Sequence, residues 1–267
     1  MDIVILLTGC INPNGMSFTQ LTDVNERQKQ YYDAIHYYIK ETNCKIIFCE
    51  NSNTAINYLF DNNCDSNRLE ILTFRGNQNK QRGKGYGEAE IIEYAFQKSD
   101  WLKEEKIVVK ITGRLIINNI KQIVKSLKSE KDFITCSFHS DLKFADSRII
   151  CATSSFYKEL YNKRNLINDS CGVFFEHILC STVLESPLPF IPFSEEPIIS
   201  GVSGTTGQTY HIKSSNFRNK VSYKCYSTIQ LLIILNKSHN RHLKMCDRFI
   251  ITVKIAFYKL LLKIPFE

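Results

Sequence analysis

The sequence predicts an α/β fold, a mostly parallel sheet flanked by helices, with a basic helical tail at the C-terminus. Short apolar runs typical of strands alternate along the first 153 residues with segments in which apolar residues recur at helical spacing. Such alternation is typical of a parallel sheet covered on both faces. The 267 residues, of which 43% are hydrophobic and 23% charged, are ordinary for a globular chain with one large domain.

Each predicted element rests on its own pattern. The strands are apolar runs such as CKIIFC and LEILTF, and the first helix carries Tyr31, Ala34 and Ile35 on one face. The predicted elements, in chain order, are strand 3–8, helix 25–41, strand 44–49, helix 54–60, strand 69–74, helix 87–98, strand 107–112, helix 118–127, strand 132–138 and strand 148–153.

The cysteines and the first residues indicate the compartment in which the protein folds. Ten cysteines are scattered without a CxxC pair, so we expect the reduced, mostly buried thiols of a cytoplasmic protein rather than a disulfide scaffold or a zinc site. The opening MDIVILLTGC is apolar but contains Asp2 and no basic segment. It is therefore interpreted as a strand rather than a signal peptide.

Positive charge is concentrated near the C-terminus. Residues 201–267 contain 11 Lys and Arg against two acidic residues, whereas residues 1–200 contain 23 basic and 25 acidic residues. Between 241 and 263, most basic residues fall within about 100° of one another on a helical wheel, and apolar residues fill most of the rest. The charges interrupt the run too often for a membrane span, so we expect residues 241–267 to lie on an anionic membrane surface. Packing of this helix on the domain itself is the alternative.

The segment SGVSGTTGQ, residues 200–208, combines glycines with small polar residues. This composition predicts a mobile loop near a ligand, and a plain surface linker is the alternative.

The loop NQNKQRGKGYGE, residues 77–88, lies between the third predicted strand and the next helix. Gly85 and Gly87 allow backbone N–H groups to approach a ligand, Lys84 adds a positive charge, and the helix N-terminus adds its dipole. The spacing matches neither a P-loop nor a dinucleotide-binding fingerprint. The pattern predicts contact with a phosphate or diphosphate.

Polar residues also follow two apolar strands directly. The first strand closes with Thr8 and Gly9, and the fourth closes with Thr112 and Gly113 before Arg114. Ligands of open α/β sheets bind beyond the carboxyl ends of the strands. An arginine at that place predicts a clamp for an oxyanion or a phosphate.

The stretch CENSN, residues 49–53, ends the second predicted strand. Glu50 and Asn51 are candidates to hydrogen-bond a base or a ribose, because a carboxylate and an amide offer both acceptors and donors. Helix capping by Ser52 or Asn53 is the alternative.

Three further places carry charged candidates. Asp23 and Arg27 are about one helical turn apart, which is also typical of a surface pair. Asp146 and Arg148 flank one serine. Glu176 lies among apolar residues on a predicted helix, where burial would raise a carboxyl pKa towards the range of a general base, although most such acids are solvated.

In their order, these segments resemble a GT-A-fold glycosyltransferase over roughly residues 1–185. The N-terminal strand, helix and strand with CENSN resemble the nucleotide-binding half of that fold. The loop GKGYG, the helix GEAEIIEYAF and the strand KIVVKIT follow in the family's order. Thr112-Gly113-Arg114 occupies the place of the family's metal-binding Asp-x-Asp motif.

The resemblance implies a Rossmann-type sheet and a nucleotide-sugar donor. Arg114, with Lys84 or Lys110, would replace the metal's charge, so transfer is expected to need no metal and no cofactor. Asp169 and Glu176 match the place of the family's acidic base. A divalent metal bound by Asp141 or Asp146 is the alternative.

The predicted site therefore has two groups of residues. The catalytic candidates are Arg114, Asp169 and Glu176, and the ligand-binding candidates are Thr8, Gly9, Arg27, Glu50, Asn51, Lys84, Gly85, Gly87, Lys110, Thr112, Gly113, Asp146 and Arg148.

The resemblance also implies partners and a location. It points to bacterial enzymes of capsule or lipopolysaccharide O-antigen synthesis, which act on lipid-linked saccharides at the inner face of the plasma membrane. The predicted organisation is a GT-A-like catalytic domain over 1–200, a mobile loop and helix completing the site over 201–240, and a peripheral membrane helix over 241–267. No nucleic-acid partner is expected. A nucleotidyltransferase, or a membrane-surface or RNA-binding module using the basic tail, is the alternative.

Overall fold

The protein is described by a computed structural model that covers residues 2–16, 19–60, 67–104, 106–127, 132–139, 142–210, 217–237, 250, 252–254 and 256–257. In chain order its strands and α-helices are β1 (Ile3–Gly9), α1 (Val24–Glu41), β2 (Lys45–Glu50), β3 (Leu69–Thr73), α2 (Lys84–Lys98), β4 (Ile107–Thr112), β5 (Ile116–Ile117), α3 (Ile120–Ser126), β6 (Ile134–Thr135), β7 (Ile149–Thr153), α4 (Ser154–Asn162), α5 (Phe175–Glu185), β8 (Ile199–Val202), β9 (Thr209–Tyr210) and α6 (Phe217–Lys237).

Six strands form the main sheet in the order β3-β2-β1-β4-β7-β6. Strands β1 to β4 are parallel, whereas β7 runs antiparallel to both β4 and β6. The predicted mixed α/β class with a mostly parallel sheet is confirmed. The chain builds outward from β1 through β2 to β3 and then returns to place β4 on the other side of β1. The carboxyl ends of β1 and β4 therefore form the topological switch point, where open α/β sheets bind ligands.

Helices cover both faces of the sheet. On one face, Val4 and Leu6 of β1 belong to the apolar cluster that includes Ile92 of α2 and residues of α4 and α5. On the other face, Ile5 and Leu7 belong to the cluster that includes residues of α1 and α3. Alternate residues of one strand thus pack into two different apolar clusters. This is why the strand sequences are continuous apolar runs and do not alternate between apolar and polar residues.

Two predicted elements are shorter in the structure. The predicted helix 54–60 is a single 3₁₀ turn, Asn57–Leu59, and none of its three residues is buried, so it lacks the packed apolar face that stabilises a short helix. The predicted strand 132–138 is reduced to Ile134–Thr135. Ile134 also bonds the 189–191 segment, accepting from Ile191 N and donating to Pro189 O, so a loop continues the sheet there.

A second, three-stranded antiparallel sheet contains β5, β8 and β9 in that order. Of the predicted mobile loop 200–208, residues 200–202 belong to strand β8 and residues 203–208 form the tip of the β8–β9 hairpin. Ser203 N donates to Gln208 O (2.8 Å) and Gly207 N to Ser203 O (2.9 Å). Further along the chain, α6 buries Ile229 and Ile234.

Most of the predicted amphipathic helix 241–267 lies outside the described residues. Of those that are described there, Ile250, Val253 and Phe257 have about half of their side-chain surface exposed, at 50%, 52% and 57%. Within the described parts of the chain, none of the helices has both the length and the apolar character needed to cross a bilayer.

Candidate functional site

A cavity of about 230 Å³ opens at the carboxyl ends of β1 and β4, at the topological switch point. Segments distant in sequence converge on it, including the start of α2, the start of α5 and the β8–β9 hairpin tip. The predicted site residues that line it are Thr8, Gly9, Arg27, Asn51, Lys84, Gly85, Gly87, Thr112, Arg114, Arg148, Asp169 and Glu176. The predicted residues that do not line it are Glu50, Lys110, Gly113 and Asp146.

Arg114 is held at the cavity wall by the turn that ends β4. Gly113 N donates to Thr8 O (2.8 Å), and a Cβ at Gly113 would lie 2.7 Å from that oxygen, so only glycine allows the two strand ends to approach so closely. The guanidinium of Arg114 donates through Nη1 to Gln30 Oε1 (3.1 Å) and to Val202 O (3.0 Å). Arg114 is thus buried to 8% exposure and joins the hairpin to the main sheet, with its charge at the cavity.

Lys84, the first residue of α2, also reaches the hairpin. Its Nζ donates to the hydroxyl of Thr205 at the hairpin tip. Burial lowers the pKa of Lys84, whereas the carboxylates of Glu176 and Asp169 act in the opposite direction. Lys84 and Arg114 therefore present two cationic groups to one cavity, each in contact with the same hairpin.

Asp169 occupies the N-terminus of α2, where we predicted a bound phosphate. Its Oδ2 accepts from Gly85 N (3.1 Å), and the backbone at Gly83, with φ of 88°, passes so close that a Cβ there would clash with the carboxylate. The N–H of Gly85 at this helix start thus bonds a side chain from far along the sequence. The predicted contact of this helix start with a phosphate stays a prediction, and the carboxylate of Asp169 lies at that place in the structure.

The same carboxylate is buried and incompletely bonded. Asp169 is 4% exposed, and its Oδ1 has no hydrogen-bond partner within the described residues. Burial raises the pKa of Asp169 above its ordinary value, although the Gly85 N–H and the charge of Lys84 oppose the shift.

This shift predicts a pH dependence of stability that Asp169→Asn removes. The unfolded chain releases the Asp169 proton at its ordinary pKa near 4, below the raised folded value. Between those two values the folded state holds more protons, so the free energy of unfolding falls as pH rises, by at most about 1.4 kcal/mol per pH unit. We expect urea denaturation at a series of pH values to show this decline for the wild type relative to Asp169→Asn. A difference that does not vary with pH, or that grows as pH rises, would contradict the assignment.

Glu176 lies in the first turn of α5 and faces the same cavity. Its Oε1 accepts from the Ser147 hydroxyl (2.7 Å), and its backbone carbonyl accepts from Ala145 N (3.2 Å). The neighbouring His177 does not share this role, because its Nδ1 accepts from Phe174 N (3.0 Å) and caps the helix. Of the two predicted bases, Glu176 is the one whose carboxylate is held by a hydroxyl rather than by a helix N-terminus.

Lys110 lies beneath the cavity and not on its wall. It is fully buried within β4, forms an ion pair with Glu88, and donates from Nζ to Ser147 O (2.7 Å). The prediction that Lys110 contacts a diphosphate does not fit this position. Glu88 in turn accepts from the Thr8 hydroxyl (2.7 Å).

Glu88 and Ser147 were missed by the sequence analysis, although one signal pointed to them. A lysine inside the apolar strand IVVKIT cannot keep its charge without a buried partner. The pattern requires such a partner but does not identify it. The resulting network runs from Thr8 through Glu88, Lys110 and Ser147 to Glu176.

The two candidates of the CENSN stretch, Glu50 and Asn51, have different roles. The carboxylate of Glu50 is completely buried and accepts from Ser52 N (2.8 Å) and Thr54 N (2.7 Å), so it organises its own turn and not a ligand. Asn51 does line the cavity. Its amide is paired with Asn77, with Nδ2 donating to Asn77 Oδ1 (2.8 Å).

Arg27 is not half of a surface pair. Asp23 caps α1 by accepting from Glu26 N (2.7 Å), while Arg27 is buried at 5% exposure. Its guanidinium donates to Cys10 O (2.9 Å) and Leu21 O (3.0 Å), which closes the loop after β1. Arg27 therefore shapes the cavity mainly by fixing this loop.

Asp146 serves as the partner of Arg148. The guanidinium of Arg148 donates to both carboxylate oxygens, from Nε (2.9 Å to Oδ1) and from Nη2 (2.5 Å to Oδ2), and this pairing raises the pKa of Arg148. Arg148 also lies over the ring of Tyr210, 4.9 Å from its centroid. Asp146 is thus committed to an ion pair. Asp141, the other suggested metal ligand, lies outside the described residues.

Within the described ranges, no three His, Cys, Asp or Glu side chains are grouped so that they would hold a metal ion. The eight cysteines that the structure describes are free thiols.

No family model matches the chain, and no curated protein matches it. Among the solved structures that are similar to it are the following two. HddC from Yersinia pseudotuberculosis shares 15% identity over 59% of this chain and 79% of its own, with a TM-score of 0.31. The 4-diphosphocytidyl-2C-methyl-D-erythritol synthase from Anaerococcus prevotii DSM 20548 shares 11% identity over 84% of this chain and 97% of its own, with a TM-score of 0.38. At these identities and scores, neither similarity assigns a function to this chain.

Proposed function

We propose that this protein is a glycosyltransferase that moves a sugar from a nucleotide-sugar donor to an acceptor hydroxyl. The observation that carries the proposal is the convergence of Arg114, Lys84 and Glu176 on one cavity at the switch point of the sheet. Two cations suit a departing diphosphate, and a half-buried carboxylate suits the activation of a hydroxyl.

The cationic side of the cavity would bind the donor. When the bond between the sugar's anomeric carbon and the diphosphate oxygen breaks, negative charge develops on that oxygen. Arg114 and Lys84 would stabilise it, because fixed donors in a water-poor cavity act strongly on developing charge. In the present structure both residues bond the β8–β9 hairpin instead, Arg114 through Val202 O at the end of β8 and Lys84 through the Thr205 hydroxyl at the tip.

The carboxylate side would activate the acceptor. Glu176 would take the proton of the acceptor hydroxyl as that oxygen bonds to the anomeric carbon, and the nucleoside diphosphate would leave with the bonding electrons. The Ser147 hydroxyl fixes the orientation of Glu176. Asp169 suits this role less well, because its carboxylate bonds the N-terminus of α2.

We further propose that the acceptor is a lipid-linked saccharide of capsule or O-antigen synthesis, and that transfer takes place at the inner face of the plasma membrane. The support for this proposal is the basic, apolar composition of residues 241–267. The loop and helix of residues 201–240 would complete the catalytic domain, since the hairpin tip lines the cavity.

A donor-binding screen tests the proposal. We expect one of the UDP-, GDP-, CMP- or dTDP-sugars to raise the melting temperature of the protein, because a ligand that binds only the folded state stabilises it. The shift and the transferase activity should both persist in EDTA, since Arg114 and Lys84 supply the positive charge. Activity that is lost in EDTA and restored by Mn²⁺ would refute the metal-independent part.

The released product and the binding of RNA distinguish the alternative functions. A nucleotidyltransferase would combine a nucleoside triphosphate with a sugar phosphate and release pyrophosphate, whereas the proposed enzyme would release a nucleoside diphosphate. Salt-sensitive retention of RNA, without any response to nucleotide sugars, would favour the RNA-binding module.

Removal of residues 241–267 should release the protein from anionic vesicles and leave transfer to a soluble acceptor within about twofold, because the described residues that line the cavity all precede this segment. Co-sedimentation with vesicles of anionic and of zwitterionic lipid measures the first effect. The matched control keeps the segment but replaces Arg241, Lys244, Arg248, Lys259 and Lys263 by glutamine. We expect it to lose about 1 kcal/mol of binding per charge removed. Sedimentation of the truncated protein equal to that of the wild type would argue against the membrane helix.

A further inference from the structure

A second cavity, of about 500 Å³, lies between the segment 194–199 and the start of α6. Its volume is within the range of small-molecule sites. None of the residues assigned to donor binding or to the activation of the acceptor lines it, with the exception of Arg148.

The two cavities adjoin at one pair of side chains. Arg148 and Tyr210 line both of them. The bidentate pairing with Asp146 fixes Arg148, and the guanidinium covers one face of the Tyr210 ring. A molecule in the second cavity that contacts this pair would therefore lie beside the wall that the two cavities share.

The chemistry of the second cavity differs from that of the first. Part of its wall is apolar, formed by Ile198, Ile199 and Val221 beside the ring of Tyr223, and most of the other lining residues are polar or charged. Charged groups of both signs stand at its exposed rim, including Glu195 and Lys224. A nucleoside diphosphate would gain little from such a wall. A sugar ring joined to an apolar group fits it, since its C–H faces pack on apolar and aromatic surfaces while its hydroxyls bond rim carboxylates and amines.

We infer that this second cavity binds the acceptor, and that the acceptor is an amphiphilic glycoside. Its terminal sugar lies against Arg148 and Tyr210, and its apolar part lies along Ile198, Ile199 and Val221. The inference rests on the proposed transferase function and adds to it the cavity in which the acceptor binds and the residues that recognise it.

The test uses the full chain and a panel of n-octyl β-glycosides of glucose, galactose, mannose and N-acetylglucosamine, each below its micelle concentration. Saturation-transfer NMR measures binding, with 1-octanol as the probe for apolar binding alone. We expect at least one glycoside to bind more tightly than 1-octanol. Val221→Trp, which narrows the cavity at its apolar wall, should weaken that binding at least tenfold and raise the KM of the same glycoside as acceptor.

Two further variants keep the result interpretable. Val124→Trp is the matched control, because Val124 is also a partly buried helical valine but lines a groove at the opposite edge of the sheet; it should leave glycoside binding unchanged. Lys224→Trp narrows the cavity from an exposed rim position and serves if Val221→Trp does not fold. Both cavity variants should keep the melting-temperature shift with the nucleotide sugar.

Three outcomes would overturn the inference alone: no glycoside binds although a nucleotide sugar does, 1-octanol binds as well as the glycosides, or neither cavity variant weakens binding. If nucleotide sugars also fail to bind, the proposed function itself is overturned.

Discussion

Replacement of Arg114 by alanine should reduce sugar transfer by about 10²- to 10³-fold while the protein remains folded. A loss of this size is typical when a fixed donor that stabilises developing negative charge is removed. The fold should tolerate the change because Arg114 makes two hydrogen bonds, to Gln30 and Val202, outside both apolar clusters. The measurement is kcat for transfer, together with the melting temperature of the variant.

Three control variants separate the charge of Arg114 from its contact with the hairpin. Gln30→Ala removes one hydrogen-bond partner but keeps the guanidinium, so we expect a loss below about tenfold. Arg114→Lys keeps the charge without the planar fork and should fall between wild type and alanine. Arg75→Ala removes an exposed arginine that does not line the cavity and should be neutral. Near-normal kcat in Arg114→Ala, or an equal loss in Gln30→Ala, would overturn the clamp.

The sheet was predictable because its strands are buried on both faces. Each of β1, β2 and β4 gives a continuous apolar run that is visible locally. The direction of β7 and the pairing of β8 with β5 depend on partners far away in sequence. Local patterns contain no information about such pairings, so the antiparallel strand and the hairpin could not be derived from them.

The site was predictable to the extent that topology determines it. Parallel strands bring their carboxyl ends to one edge, which is why Thr8 and Arg114 line the same cavity. The errors concern side chains with distant partners. Asp169 reaches the N-terminus of α2 from more than 80 residues away, and Lys110 turns inward to Glu88. Residue type and spacing identified Asp169 and Lys110 as charged candidates but did not identify the groups that they contact.

The hydrogen-bond partners of Asp169 and Glu176 also distinguish these two candidate bases. Asp169 and Glu176 both line the cavity, and both lie within electrostatic reach of Lys84. Asp169 is needed by the helix that presents Lys84, so its replacement would disturb the donor side of the cavity as well. Glu176 bonds the Ser147 hydroxyl and not the backbone that presents Lys84, so its removal should leave the position of Lys84 unchanged.

Glu176→Gln should therefore lower kcat by about 10²- to 10⁴-fold, the usual contribution of a general base, with an unchanged KM for the nucleotide sugar. Gln has nearly the same shape but cannot accept the proton of the acceptor hydroxyl. In Glu176→Ala, added formate should restore part of the activity, because a small carboxylate can occupy the vacated space. A purely structural role for Glu176 would not produce this rescue.

Two variants complete this test. Ser147→Ala removes the hydroxyl that orients Glu176, so kcat should fall less than in Glu176→Gln while the donor KM stays constant. Glu185→Gln changes a glutamate at the other end of α5, which pairs with Lys163 at the surface, and should leave both constants unchanged. Wild-type kcat in Glu176→Gln would transfer the role of base to Asp169. An increase in the donor KM without a change in kcat would place Glu176 in donor binding instead, because only a group that acts in the chemical step lowers kcat at saturating substrate.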